Sequence, residues 1–149
     1  MKNTLLLLGF LSFAFVTCKT TSNASRSDSS SKTTYSSVQW YTPENIGDMH
    51  AKSAEEDLRL FVDISASWCG YCKKMKKNVY TLPSVISAMN SKFVSVSLDG
   101  EVGDGKTLYS KYNLEGFPTQ LILDSKGNVI RRNVGYLDET RLLAFIAEN

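Results

Sequence analysis

Hydrophobic and polar positions divide the chain into three parts. Residues 5–16 form an apolar run interrupted by Gly9 and Ser12, whereas residues 19–37 are almost entirely polar. From Val38 onward, apolar positions recur at the spacings of strands and helices. We therefore expect one folded domain over residues 38–149, which is long enough to bury a core without disulfide staples.

Within this domain the patterns predict five strands and four helices. The strands are expected at residues 38–41, 59–65, 92–98, 119–123 and 129–134, the last two joined by a hairpin turn at 124–128. The helices are expected at residues 43–57, at 70–90 with a start or kink at Pro83, at 106–112 and from 139 onward. Alternating strands and helices followed by a hairpin indicate an α/β fold of order βαβαβαββα. Its mixed central sheet is expected to be covered by helices on both faces.

Capping signals place the starts of two of these helices. Thr42 is predicted to be the N-cap of the first helix, with Pro43 at its first position. Asp138 is predicted to cap the last helix, with Leu137 and Leu142 forming a hydrophobic staple.

The first part of the chain has the pattern of a signal peptide. Lys2 gives a positive start, and the apolar run that follows is too short to cross a bilayer as a helix. Residues 15–18, Phe-Val-Thr-Cys, resemble the lipobox of bacterial lipoproteins, although the residues at 15 and 17 depart from its preferences. We interpret residues 1–17 as the signal peptide and Cys18 as a lipidated N-terminus. The alternative is an ordinary secretory signal peptide in which Cys18 has no such role.

The second part of the chain has the composition of a tether. Residues 18–37 are dominated by Ser and Thr, and such a segment cannot bury enough surface to offset its ordering entropy. We expect a flexible spacer that holds the domain clear of a membrane. Export places the protein in the periplasm or cell envelope, and Lys19 after the lipid site favours the outer membrane under the rule for enteric lipoproteins.

Composition and charge exclude several classes of function. The net charge of +2 gives no basic excess that would indicate nucleic acid as a partner. Three cysteines are too few for a disulfide-rich scaffold or a four-cysteine zinc site. A zinc site on Cys69 and Cys72 would need two more ligands, and the remaining candidates are Cys18 and His50. We therefore predict no metal, and we interpret His50 as a solvated surface residue.

Two runs of charge are interpreted as solvent-facing. Lysines at positions 73, 74, 76 and 77 follow the second cysteine, and Met75 among them is expected to point inward. Asp99, Glu101 and Asp104 occupy a glycine-rich loop, but their spacing does not match a calcium-binding EF-hand. Neither run is assigned a ligand.

The candidate chemistry lies where a buried strand gives way to a helix, at Trp68-Cys69-Gly70-Tyr71-Cys72. Positions i and i+3 share one face of a helix, so the two sulfurs can reach disulfide distance. Cys69 is at the helix N-terminus, where unpaired N–H groups and the dipole stabilise a thiolate, while Cys72 lies a turn deeper. We therefore predict that Cys69 attacks a substrate disulfide and that Cys72 resolves the mixed disulfide.

Three motifs together resemble a thioredoxin-family domain. They are residues 62–73, Val-Asp-Ile-Ser-Ala-Ser-Trp-Cys-Gly-Tyr-Cys-Lys, residues 116–119, Gly-Phe-Pro-Thr, and residues 134–136, Val-Gly-Tyr. The resemblance covers residues 38–149 and is strongest to exported thioredoxin-like proteins with an extended loop before the third helix. It implies a thioredoxin fold and thiol:disulfide exchange without a bound cofactor.

The resemblance also implies roles for individual residues. Asp63 matches the buried acid that assists deprotonation of the resolving cysteine. Pro118 matches the cis-proline that faces the dithiol and holds the substrate strand by backbone hydrogen bonds. The other residues expected to contact substrate are Trp68, Gly70, Tyr71, Phe117 and Gly135.

Two departures from thioredoxin itself, at Tyr71 and Ser95, and the character of Phe117 bear on the direction of electron flow. Tyr71 replaces the proline before the second cysteine, and the Gly-Tyr dipeptide resembles that of bacterial disulfide isomerases. Phe117 is closer in character to the residue of reductants. Ser95 stands where thioredoxin has a lysine that accompanies the buried acid. Without that cation, burial makes Asp63 harder to ionise.

These observations predict an envelope thiol:disulfide oxidoreductase that reduces protein disulfides. Its expected partners are protein thiols and disulfides and a dithiol electron donor or acceptor, with no nucleic acid. One alternative is a disulfide oxidase or isomerase, and another is a thioredoxin-like binding module with little turnover. The isomerases that share the Gly-Tyr dipeptide have a dimerisation segment, whereas we expect this protein to be a monomer.

Overall fold

Residues 35–147 are described by the computed structural model. One sheet contains β1 (Trp40–Tyr41), β2 (Arg59–Ser65), β3 (Phe93–Asp99), β4 (Thr119–Leu123) and β5 (Val129–Val134). The helices are α1 (Ile46–Glu56), α2 (Gly70–Asn78), α3 (Pro83–Lys92), α4 (Gly103–Lys111) and α5 (Glu139–Ala147). Within the described range, no helix is long and apolar enough to cross a membrane. The predicted signal peptide, the lipidation of Cys18 and the tether up to residue 34 lie outside the described residues.

The strands lie in the order β1-β3-β2-β4-β5, which makes β2 the central strand. β3 runs parallel to β1 and β2, whereas β4 is antiparallel to β2 and β5. Helical connections between β1, β2 and β3 allow parallel pairing, and the short hairpin makes β4 and β5 antiparallel. The predicted mixed sheet is therefore confirmed. In this register Asp63 of β2 lies between Ser97 of β3 and Gln120 of β4.

Side chains of β2 enter two hydrophobic clusters, one on each face of the sheet. Phe61 joins a cluster with residues of α2, α3 and α5, such as Met75. Leu60 and Val62 join a second cluster with residues of α1 and α4, such as Met49. Each fully buried side chain of this size contributes about 1.5–3 kcal/mol relative to an exposed one. Because side chains alternate along a strand, Asp63 lies on the Phe61 face, which α2 covers.

The first helix begins later than Thr42 and Pro43 predict. Its N-cap is Asn45, whose Oδ1 accepts a hydrogen bond from the N–H of Asp48 at 3.0 Å. Asp48 Oδ2 in turn accepts a hydrogen bond from the Tyr41 hydroxyl at 2.7 Å. An asparagine cap followed three residues later by a tethered acid therefore outweighs the helix-starting preference of the proline.

Of the two alternatives for Pro83, a start or a kink, the structure shows a start: α2 ends at Asn78 and a separate helix, α3, begins at Pro83. Leu82 has an extended backbone because the following Pro83 disfavours the helical conformation there. The N–H of Tyr80 still donates to the carbonyl of Met75 at 3.0 Å, so the last turn of α2 closes before the break. Tyr80 lies in the link between the two helices, and its side chain is buried. A single continuous helix over this range would not predict this side-chain position.

The glycine-rich segment after β3 is partly helical, because α4 begins at Gly103 instead of residue 106. A Cβ atom on Gly105 would lie only 1.9 Å from the carbonyl oxygen of Asp99. Glycine at position 105 therefore allows α4 to pack closely against the end of β3. It is a residue of the helix and not of the loop.

His50 is half-buried, and the prediction of a solvated side chain is wrong. A Cβ atom on Gly127, in the β4–β5 hairpin, would lie 3.0 Å from His50 Cε1, so the ring packs against this turn. His50 Nδ1 is buried without a hydrogen-bond partner among residues 35–147, and burial lowers the pKa of the ring. The left-handed φ of +85° at Gly127 closes the turn tightly enough for this packing.

Other boundaries match the predictions. β2, β4 and β5 occupy the expected residues. Asp138 Oδ1 accepts a hydrogen bond from the N–H of Arg141 at 2.9 Å, and Leu137 and Leu142 are both buried next to this cap. The strand patterns and the helix cap depend on residues that are close in the chain, so the sequence alone is sufficient to locate these boundaries.

Candidate active site

The two cysteines lie at the junction between β2 and α2. Cys69 forms the N-cap of α2 and is joined to Cys72 by a disulfide with a Cα–Cα distance of 5.3 Å. Cys69 Sγ accepts a hydrogen bond from the N–H of Cys72 at 3.1 Å. The first turn of α2 contains no acidic residue. A sulfur in this position is favoured as a thiolate by the N–H groups and the dipole of the helix.

The dithiol is nearly buried, whereas the side chains that flank it are exposed. Cys69 is 4% and Cys72 2% exposed, and Phe117 packs against the cluster that they form with Ala66. Trp68 is 66% and Tyr71 63% exposed. A partner protein would therefore meet two aromatic side chains at the surface before it reaches the sulfurs.

Trp68 is held towards the loop that follows β3. Its Nε1 donates a hydrogen bond to Glu101 Oε1 at 3.0 Å. The indole packs edge-on against Phe117 with a centroid distance of 5.9 Å. The ring centroids of Phe117 and of Tyr109 in α4 are 5.0 Å apart. Glu101 and the aromatic contacts therefore fix one wall of the site.

Tyr71 lies towards the opposite side, where its ring centroid is 5.9 Å from that of Tyr136. Lys74 Nζ lies 4.8 Å from the Tyr136 centroid, in cation–π geometry. Gly70 is exposed, and a Cβ atom there would meet no other atom within 4 Å. At Gly70, therefore, no side chain covers the surface next to Cys69.

The peptide between Phe117 and Pro118 is cis, the conformation that the resemblance implies. The carbonyl oxygen of Pro118 accepts a hydrogen bond from the N–H of Gly135 at 2.7 Å. Gly135 has a φ of +105°, which favours glycine. Asn133 Nδ2 donates to the Gly135 carbonyl at 2.9 Å and to Gln120 Oε1 at 2.7 Å. These bonds tie the proline loop to the end of β5.

Asp63 is 1% exposed and has two hydroxyl partners. The Tyr80 hydroxyl donates to Oδ1 at 3.0 Å, and Ser97 Oγ donates to Oδ2 at 3.5 Å. Burial raises the pKa of Asp63, while the Tyr80 hydrogen bond and the positive charge of Lys76 oppose that rise. A buried carboxyl with a raised pKa is suited to exchange a proton during a reaction.

Ser97, and not Ser95, is the β3 residue next to Asp63. The parallel register pairs Asp63 with Ser97, and the Ser95 hydroxyl is buried without a hydrogen-bond partner among the described residues. Neither serine supplies a charge. The positive charge that acts on Asp63 comes instead from Lys76, on α2.

The polar residues of the site that were not predicted from the sequence include Tyr80, Ser97 and Glu101. Strand alternation could have identified Ser97, because residues at matching positions of neighbouring strands share a face of the sheet. The other two had no local signal. Tyr80 reaches Asp63 across the break between α2 and α3, and Glu101 reaches Trp68 from 33 residues away.

Of the three acids that the sequence analysis places in a glycine-rich loop, Asp99 and Glu101 have hydrogen-bond partners within the fold. Asp99 Oδ1 accepts a hydrogen bond from the N–H of Glu101 at 2.9 Å, and Glu101 binds the indole of Trp68. Asp104 lies in the first turn of α4, where the helix dipole favours a carboxylate. Within residues 35–147, no group of three His, Cys, Asp or Glu side chains could hold a metal ion.

Comparison with known proteins relates this geometry to a family. Residues 48–148 match the thioredoxin-like domain family. The chain is 33% identical to protein disulfide-isomerase 1 of Dictyostelium discoideum over 87 residues, which are 58% of this chain and 24% of that protein. It is 28% identical to the thiol:disulfide interchange protein DsbD of Tatumella citrea over 110 residues, 69% of this chain and 19% of that protein. The chain thus spans a quarter or less of the length of these curated relatives.

Solved structures share the arrangement. A Bacteroides thetaiotaomicron protein, solved as a candidate disulphide-isomerase, is 33% identical with a TM-score of 0.66, covering 74% of this chain and 91% of that one. A thioredoxin from Thermus thermophilus aligns with a TM-score of 0.65 at 22% identity, covering 74% of this chain and 85% of that one, and is similar in fold alone. The fold is therefore the thioredoxin fold that the sequence predicts. The family match covers well over half of the chain, and the protein belongs to the thioredoxin-like family.

Proposed function

We propose that this protein is a thiol:disulfide oxidoreductase that reduces protein disulfides by dithiol exchange. The observation that carries the proposal is the Cys69–Cys72 disulfide at the N-terminus of α2, on the face of the sheet where Asp63 is buried. Relatives named as disulfide isomerases and as a thiol:disulfide interchange protein support the same chemistry.

The reaction starts from the reduced dithiol. The Cys69 thiolate attacks one sulfur of the substrate disulfide, so that the substrate S–S bond breaks and a mixed disulfide forms. The displaced substrate sulfur leaves as a thiolate and takes a proton from water. The products of this step are one substrate thiol and a substrate chain bound covalently to Cys69.

Resolution uses Cys72 and Asp63. The Cys72 thiol gives its proton to the Asp63 carboxylate, and the resulting thiolate attacks Cys69 Sγ. The Cys69–Cys72 disulfide forms as the mixed disulfide breaks, and the second substrate sulfur leaves as a thiolate that is then protonated. Two electrons have passed from the dithiol to the substrate disulfide.

We place reduction ahead of isomerisation because Phe117 packs its apolar ring against the dithiol, as expected for reductants. Isomerase activity is the second candidate, supported by Tyr71 before the second cysteine and by the names of the relatives. The equilibrium potential of the Cys69–Cys72 pair against glutathione separates the two. A value near about −270 mV supports a reductant, whereas a value near about −180 mV, as in protein disulfide isomerase, or a more oxidising one contradicts it.

The proposal includes export and anchoring. Residues 1–17 act as the signal peptide, Cys18 carries the lipid and residues 18–37 form the tether to the outer membrane. The protein works as a monomer without a bound cofactor and receives electrons from another dithiol protein. Labelling of cells with a radioactive fatty acid tests the anchor: the wild-type protein should be labelled, and a Cys18→Ser variant should not.

Turnover tests the enzymatic claim. Reduction of insulin disulfides by dithiothreitol should be accelerated by the wild-type protein and not by Cys69→Ser. Wild-type rates no faster than those of the variant would contradict the enzyme and favour a thioredoxin-like binding module. Circular dichroism of both proteins controls for folding.

A further inference from the structure

Lys76 differs from the other lysines of α2 in where its side chain ends. It lies one turn after Cys72, and its Nζ donates a hydrogen bond to Ser65 Oγ, at the end of β2, at 3.2 Å. Lys74 instead lies over the ring of Tyr136. The contact with Ser65 keeps the ammonium of Lys76 at the end of the central strand β2, on the face of the sheet where Asp63 is buried.

Two surface grooves meet at Lys76. One, of about 220 Å³, is lined by Lys76 together with Cys72 and Ser97. The other, of about 240 Å³, is lined by Lys76 together with Tyr80 and Ser97. Ser97 and Tyr80 are the two residues that donate hydrogen bonds to Asp63. Lys76 therefore lines both grooves and lies next to the two hydroxyl donors of Asp63.

We propose that Lys76 is a positioning residue for proton transfer from Cys72, because its ammonium supplies from α2 the positive charge that compensates the Asp63 carboxylate. The inference rests on the proposed function. On the neighbouring strand β3, Ser97 pairs with Asp63 and Ser95 pairs with Phe61, so neither position next to the carboxyl supplies a charge. Lys76 restores the missing charge from the helix above the sheet instead of from the neighbouring strand.

The groups that face Asp63 make this assignment specific. Tyr80 between α2 and α3, Ser97 of β3 and Gln120 of β4 all interact with the carboxyl without carrying a charge. The groove at Cys72 is also lined by two other charged residues, Lys73 of α2 and Asp99 of β3. Lys76 is the charged residue that lines both grooves, and its charge acts on Asp63. Lys76 lowers the pKa of Asp63 against the opposing effect of burial. Its loss should leave less Asp63 in the form that accepts a proton.

The experiment compares Lys76→Met with Lys76→Arg, using Lys77→Met as the matched control. Lys77 is an exposed lysine of the same helix and lies outside the lining of both grooves. Carbon-13 NMR of the reduced protein gives the titration of the Asp63 carboxyl. Stopped-flow measurement of insulin reduction gives the pH profile of the rate.

Lys76→Met should raise the Asp63 titration midpoint and cause a severalfold loss of rate on the acid limb of the profile. Lys76→Arg should restore both values, and Lys77→Met should leave both unchanged. Because Lys76 is exposed, salt at about 1 M should shrink the difference. An unchanged Asp63 titration in Lys76→Met, or an equal shift in Lys77→Met, would overturn the inference. If the wild-type protein shows no turnover, the proposed function fails while the NMR titration still decides the role of Lys76.

Discussion

The hydroxyl of Tyr80 donates a hydrogen bond of 3.0 Å to the carboxyl of Asp63, and both side chains are almost completely buried. Burial raises the pKa of Asp63 and raises the pKa of Tyr80 well above its ordinary value. Tyr80 therefore remains protonated and donates its hydrogen bond whether Asp63 is charged or neutral. The break between α2 and α3 thus contributes directly to the chemistry beneath the dithiol.

Replacement Tyr80→Phe removes the donor and keeps the ring, which packs against Trp40 and Phe61 with centroid distances of 5.1 and 6.2 Å. We expect the pKa of Asp63 to rise further, because the ionised carboxylate loses a hydrogen bond. The acid limb of the rate profile for insulin reduction should move to higher pH, with several-fold slower turnover at about pH 6. A profile identical to that of the wild-type protein would show that the contact has no effect on the reaction.

Asp63→Asn should stabilise the protein in a pH-dependent way. The pKa of Asp63 is higher in the folded protein than in the unfolded chain, so the stability from its protonated form is complete below the unfolded value of about 3.9. That stability is lost as the pH rises through the folded pKa. Urea unfolding should therefore show a larger gain for Asp63→Asn at about pH 8 than at about pH 4.

The control for this substitution is Asp57→Asn, since Asp57 is exposed and asparagine tolerates its left-handed φ of +52°. We expect Asp57→Asn to change stability little at either pH. An Asp63→Asn gain of the same size at both pH values would argue against ionisation of Asp63 as its cause.

Glu101→Ala should release the indole of Trp68, because Glu101 Oε1 is the acceptor for Trp68 Nε1. Tryptophan fluorescence anisotropy should fall, and kcat/KM for protein disulfides should decrease about two- to fivefold. Glu101→Gln keeps an acceptor oxygen and should restore most of both values. Equal values for the alanine variant and the wild-type protein would mean that the hydrogen bond does not order this wall of the site.

Thiol alkylation should identify Cys69 as the more acidic cysteine in the reduced protein. Its sulfur lies at the N-terminus of α2, whereas Cys72 is a turn deeper and must give its proton to a buried carboxyl. Iodoacetamide at about pH 6 followed by peptide mass spectrometry should find modification of Cys69 first. Modification of Cys72 first would reverse the roles of the two cysteines.

The sequence predicts the parts of the site that depend on local signals. The position of Cys69 at the start of a helix, where the helix dipole acts on its sulfur, can be predicted because a buried strand precedes it. The hairpin at Gly127 can be predicted from the residue types that favour tight turns. The Tyr80–Asp63 contact could not be predicted, because it requires a helix break whose direction depends on packing. His50 was misjudged for the same reason, since only the folded chain brings the hairpin turn against its ring.

Trapping of the mixed disulfide tests the central claim most directly. A reduced Cys72→Ser variant is mixed with a protein disulfide substrate, and the products are separated without reductant and mapped by mass spectrometry. The account predicts a covalent complex through Cys69 in this variant and none in Cys69→Ser. A complex formed equally well through Cys72 in Cys69→Ser, or no complex in either variant, would contradict the assignment of Cys69 as nucleophile and Cys72 as resolving thiol.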